Sequence, residues 1–170
     1  MIALVALVCA APFVSAWVAY YLIQPNAGKS YGQLLETRPL AALTVSAEDA
    51  ENWKGKWRLM MLTPDACAAE CADALYATRQ ARTMLGRERE RLVRVAVAPR
   101  QLDAPLIAEH PDLMVIAAPT SLPDAWREAL GRGILLVDPL GNQVIVWPKN
   151  PDIKKLHQDL SRLMRASRIG

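Results

Sequence analysis

Trp57-Arg58-Leu59-Met60-Met61-Leu62, stopped by Thr63-Pro64 and followed closely by Cys67-Ala68-Ala69-Glu70-Cys71, is the stretch on which the reading of this chain turns. The first six residues form an apolar run of strand length, and the proline ends it. From Cys67 to Leu85 the composition is helical, with Asp65 placed to cap the start and Gly86 to stop the end. A buried strand running directly into a helix that opens on two cysteines is the arrangement to be explained.

On the C-terminal side the pattern repeats. Leu92 to Ala98 is a valine-rich strand ended by Pro99, and Gln101 to His110 a short helix broken by Pro105. Leu113 to Ala117 is a third apolar run, and Pro123 to Leu130 another short helix. Ile134 to Val137 and Gln143 to Trp147 are strands on either side of Asp138-Pro139-Leu140-Gly141-Asn142, a hairpin turn by composition. Pro151 to Ser167 is a last helix, with Ile153, Leu156, Leu160 and Leu163 on one face. Before the cysteines, Leu34 to Val45 is a short strand or hairpin, and Ala47 to Trp53 is helical, ended by Lys54-Gly55-Lys56. Right-handed crossovers joined to an antiparallel hairpin give an α/β fold, a mixed sheet flanked by helices in the thioredoxin-like layout. The chain divides into an N-terminal span (1–24), a linker and lead-in segment (25–50) and a thioredoxin-like domain (51–168).

The N-terminal stretch Ile2 to Ile23 carries no charged residue. As a helix it would span roughly 33 Å, enough to cross a bilayer. Trp17, Tyr20 and Tyr21 gather at its C-terminal end, where an aromatic belt sits, and Pro12 is tolerable in such a helix. Val14-Ser15-Ala16 loosely matches a cleavage site. A cleaved signal peptide, however, has a basic leader and a shorter apolar core, so a retained single-pass transmembrane helix is expected. Lys29 and Arg38 after the span argue weakly for a cytoplasmic C-terminal domain. The thiol chemistry argues for the periplasmic face of the inner membrane, and that placement is the expectation adopted.

Composition excludes other classes. The 170 residues are 52% apolar and 22% charged, with a net charge of +3. The densest charged run, Arg87 to Arg91, alternates in sign and reads as a solvated helix end. With no zinc-finger spacing and no interleaving of basic and aromatic residues, nucleic acid is not an expected partner. No glycine-rich phosphate loop, H-E-x-x-H or serine–histidine–acid set appears. Of the three cysteines, Cys9 lies in the apolar N-terminal stretch as a small hydrophobe. Cys67 and Cys71 are a close pair, which points to redox or metal chemistry. At a helix start the free N–H groups and dipole favour a thiolate. Spacing of four puts both sulfurs on one helix face, within reach of a disulfide or one soft ion such as Cu(I). His110 and His157 read as solvated, and Met60 and Met61 as core residues pointing to opposite faces.

Lys54 to Leu62, Cys67 to Cys71 and the hairpin Leu136 to Asn142 together resemble the Sco/SenC family of copper chaperones, which are anchored by one N-terminal helix and assist cytochrome c oxidase assembly. Ser30 to Leu34 and Arg38-Pro39-Leu40 also look like small membrane proteins encoded beside bacterial oxidase genes. The resemblance covers most of residues 30 to 168. It implies Cu(I) or thiol exchange at Cys67 and Cys71, as catalytic residues and as metal ligands, with a terminal oxidase subunit or its assembly factors as partner. The sequence departs from the family in three places. Ala68 and Ala72 stand where prolines follow the cysteines, and Leu130-Gly131-Arg132-Gly133 has no histidine where the family carries its third ligand. Gly133 also stands where thioredoxins proper carry a cis-proline. Two further readings stay open: a general thiol–disulfide oxidoreductase in which Cys67 attacks and Cys71 resolves, and an assembly factor that keeps only the fold.

Overall fold

The computed structural model describes residues 9–18, 30–41, 43 and 45–170. Residues 9–18 are helical (α1). The rest of the expected span, 1–8 and 19–24, lies outside the described residues. Among the described residues no helix is long and apolar enough to cross a membrane.

The domain follows as β1 (Gln33–Leu34), α2 (Ala47–Trp53), β2 (Trp57–Leu62), α3 (Ala69–Thr83), a 3-10 helix (Gly86–Arg91), β3 (Leu92–Ala98), α4 (Ala104–Glu109), β4 (Leu113–Ala117), α5 (Asp124–Arg132), β5 (Ile134–Val137), β6 (Gln143–Trp147) and α6 (Ile153–Ala166). The strands form one sheet in the order β1-β6-β5-β2-β3-β4. β2, β3 and β4 run parallel, while β5, β6 and β1 alternate antiparallel. This is the thioredoxin-like mixed sheet that the element order implies.

β2 is covered on both faces, which is why it reads as a continuous apolar run and not as an alternation. Trp57, Leu59 and Met61 pack with Leu75 of α3 and Leu156 and Leu160 of α6. Met60 joins Val95, Leu135 and Val137 beneath Trp126 and Leu130 of α5. Met60 and Met61 therefore point to opposite faces, as expected. The hairpin turn is held by Asp138, whose Oδ1 accepts from the N–H groups of Leu140 (2.9 Å) and Asn142 (2.8 Å).

Several local expectations are corrected. The helix after β2 begins at Ala69, so Cys67 precedes it; the N-cap is Ala68 in extended conformation, and Asp65 does not cap. Pro105 sits in the first turn of α4 and starts the helix, since its missing N–H falls where no intrahelical acceptor exists. Among its described residues, the expected strand or hairpin from Leu34 to Val45 shows as the end of the two-residue β1 and an isolated bridge from Pro39 to Asn142. Within the charged run, Arg91 is not solvated: it donates to the carbonyls of Met164 (2.8 Å), Ser167 (3.0 Å) and Ile169 (2.7 Å).

The lead-in segment is fastened by a buried carboxylate. Asp159 Oδ2 on α6 accepts from Ser30 Oγ (3.0 Å), Gly32 N (2.8 Å) and Trp147 Nε1 (3.0 Å). Gly32 is needed there, because a Cβ would lie 2.4 Å from the side chains of Ile145 and Trp147. Asp159→Ala strands these donors away from water. It should cost about 2–4 kcal/mol in urea denaturation, with Asp159→Asn costing less.

Candidate functional site: the Cys67–Cys71 pair

The site begins where β2 runs out. Thr63 is buried, and its N–H bonds Val97 O at 3.0 Å, extending the parallel pairing one residue beyond Leu62. Pro64 then turns the chain off the sheet at the carboxyl end of β2. There a parallel neighbour, β3, lies on one side and an antiparallel one, β5, on the other. Crevices at the carboxyl ends of strands are where α/β folds place their chemistry.

Cys67 and Cys71 are joined as a disulfide, with Cα atoms 5.1 Å apart. The pair is asymmetric. Cys71, in the first turn of α3, is 8% exposed and belongs to the core with Leu59 and Leu75. Cys67 is half-buried in the turn before the helix, packed also against the patch of Ala98 and Leu102. The helix start is held by backbone alone, with Cys71 N and Ala72 N each 3.0 Å from Ala68 O. Beside the pair lies a concavity of about 470 Å³, lined by Met61, Leu62, Pro64, Glu70, Cys71 and Lys149 and closed by Gly131 and Gly133. Gly133 has φ 151°, and a Cβ there would lie 2.0 Å from the Trp147 carbonyl oxygen. At Gly131 and Gly133 the wall is bare backbone, and no imidazole is among the described residues that line the concavity.

The two thiols are close enough to share one soft ion once reduced. Met61 and Glu70 line the same concavity, but among the described residues no group of three or more His, Cys, Asp or Glu stands ready to hold a metal. Neither histidine joins the site. His157 is half-buried on α6. His110 corrects the expectation of a solvated side chain: it is 2% exposed at the end of α4, and its Nδ1 has no hydrogen-bond partner. Burial first, then the charges of Arg94 and Arg79, hold it below the ordinary histidine value. Cys9 is exposed and unpaired.

Arg94 was not singled out from the sequence, although a cation inside a valine-rich strand is a visible signal. It is 1% exposed on β3 and donates to Leu75 O (2.7 Å), Thr78 Oγ1 (3.1 Å) and Asp112 Oδ1 (3.0 Å). Desolvation lowers its pKa to about 10, against the opposing pull of Asp112. Through these bonds β3 grips the middle of α3, the helix that presents Cys71.

The exposure difference sets an order of reactivity. After reduction, a pulse of iodoacetamide should modify Cys67 at least about tenfold faster than Cys71, read by mass spectrometry. Equal rates would show that packing does not separate the two thiols.

Comparison with known proteins agrees with this geometry. The family described as transmembrane-like, thioredoxin-like, C-terminal domain matches residues 57–167. No curated protein matches the sequence. Among solved structures, copper-bound ScoI from Arabidopsis thaliana is similar with a TM-score of 0.56 at 19% identity, over 69% of this chain and 88% of that one. Apo Sco1 from Thermus thermophilus gives 0.54 at 20% identity, over 80% and 95%. Copper-bound ScoI from Bradyrhizobium japonicum gives 0.53 at 14% identity, over 77% and 98%. With a Sco-like arrangement of strands and helices around a C-x-x-x-C pair, the chain belongs to the transmembrane-like, thioredoxin-like C-terminal domain family.

Proposed function

We propose that this is a membrane-anchored Sco-like protein that handles Cu(I), or the thiol redox state of a copper centre, during assembly of a terminal oxidase. The observation that carries the reading is the Cys67–Cys71 disulfide at the carboxyl end of the central strand, with Cys71 bordering a concavity and Cys67 the less buried of the two. Copper is the cargo here. Two thiolates suit Cu(I), and the Met61 thioether lines the same concavity. Cu(II), which prefers nitrogen donors, has no imidazole to meet. Similar solved structures from Arabidopsis thaliana, yeast and Bradyrhizobium japonicum are Sco proteins with copper bound, which supports the copper reading.

The missing imidazole favours a second reading, thiol–disulfide exchange without copper. In that step the Cys67 thiolate attacks a partner disulfide, forming a mixed disulfide and releasing one partner thiolate. The Cys71 thiolate then displaces the other. The partner is reduced by two electrons and the pair ends as the observed disulfide.

The anchor rests on the uncharged run Ile2 to Ile23, and the periplasmic placement on the need of a dithiol carrier for targets outside the cytoplasm. The protein should stay in the membrane fraction through an alkaline wash, and a reporter fused after Gly170 should be active in the periplasm. Cytoplasmic activity alone would overturn both readings.

Competition against a Cu(I) chelator separates the two. The reduced protein should bind at most one Cu(I), and Cys67→Ser or Cys71→Ser should abolish high-affinity binding. Disulfide exchange with a model substrate, with no Cu(I) affinity beyond that of the double serine variant, would select the oxidoreductase. Neither activity would leave a docking role for the fold.

A further inference from the structure

At the other end of β2 stands a charged side chain that the chemistry above does not use. Arg58 is the second residue of the strand, on the face it shares with Met60, and it is half-buried. Its Nε is buried without a hydrogen-bond partner. One terminal nitrogen donates to the Asp138 carbonyl at 2.9 Å, and the guanidinium carbon lies 5.1 Å from the centre of the Trp53 ring. The Asp138 carboxylate favours the cation electrostatically, yet its oxygens are committed to the hairpin, to Leu140 N, Asn142 N and Asn142 Nδ2. Desolvation outweighs that help and lowers the Arg58 pKa.

Arg58 lines a cavity of about 400 Å³ whose walls include Leu40, Trp53, Trp126, Pro139 and Leu140. Lys54 is its second cation, and among the described residues no acidic side chain lines it. That volume is within the range of small-molecule sites, which join an apolar lining to a few fixed polar groups. The Nε is closed off from solvent, so a ligand in the cavity would meet the terminal nitrogens, of which one hydrogen bond, to the Asp138 carbonyl, is made within the protein. Carboxylate is the group whose two oxygens match the guanidinium fork.

We propose that the cavity between α2, α5 and the β5–β6 turn binds a small monocarboxylate with an apolar or aromatic body, its carboxylate on Arg58 and its body between Trp53 and Trp126. The site is separate from the cysteine pair, which lies at the opposite end of β2, so its fate is independent of the redox or copper reading.

The probe is 3-phenylpropionate, with 3-phenylpropionamide as the uncharged control, titrated into the full chain with tryptophan fluorescence and thermal shift as readouts. Saturable binding with Kd of about 1 mM or tighter is expected. The amide, and the Arg58→Gln variant, should bind about tenfold or more weakly. Arg58→Lys, which keeps the charge and loses the fork, should fall between. Leu140 is 78% exposed at the rim, so Leu140→Asp tests the same charge preference without disturbing the core, and should also weaken binding several-fold. Loss in Arg58→Gln counts only if that variant keeps its near-ultraviolet circular dichroism; if it does not fold, Leu140→Asp decides. The proposal is overturned if the wild-type protein shows no saturable response up to about 20 mM. Equal binding of acid and amide, or undiminished binding by folded Arg58→Gln or by Leu140→Asp, would overturn it as well.

Discussion

Burial of β2 on both faces is the constraint on which the other features depend. With Leu59 at 2% and Met60 at 0% exposure, water reaches neither side of the strand's middle, and each such side chain contributes about 1.5–3 kcal/mol by leaving it. A strand so enclosed has its backbone groups satisfied by β3 and β5, leaving the chain to escape only at its ends. The escape at Thr63-Pro64 delivers the cysteines, and the start at Trp57-Arg58 delivers the second cavity. Both sites are consequences of where one apolar run stops.

The same enclosure explains what was legible in the sequence. β2, β3, β5 and β6 have the bounds that their apolar runs and breakers announce, because proline and the Asp138 hairpin act on the chain locally. Helix starts were less legible. Whether Cys67 sits inside α3 depends on the backbone of Ala68, and no capping side chain advertises it. Long-range features were not legible at all. The hold of Asp159 on Gly32 joins residues far apart in the chain, and His110 is buried within reach of the charges of Arg79 on α3 and Arg94 on β3. Of the site itself, the paired cysteines could be read from spacing. Their unequal exposure, and the roles of Lys149 and Gly133 in the wall, needed the fold.

Buried charge in this domain follows two different economies of contact. Arg94 is enclosed but answered by a carboxylate, a hydroxyl and a carbonyl, so it acts as a brace between sheet and helix. Replacing it by a smaller apolar residue would remove the brace, while Asp112, partly exposed, would keep its ion pair with Arg82 at 3.0 Å. Arg58 is less enclosed and only partly answered. A side chain fully satisfied by its own protein stiffens the fold, whereas one that lines a cavity with a single hydrogen bond of its own keeps terminal donors for a visitor.

Gly133 also governs which evolutionary or engineered routes are open to the cysteine site. A Cβ at 133 would collide with the backbone of Trp147, so no imidazole, carboxylate or thioether can be introduced at that point without rebuilding β6. Two positions earlier, a Cβ on Gly131 meets nothing within 4 Å, and Gly131 borders the same concavity as Cys71. Of the two glycines in the wall, one is locked and the other open. For a lineage or a designer seeking a third donor for this dithiol, 131 is an unobstructed position, at the end of a helix already in place.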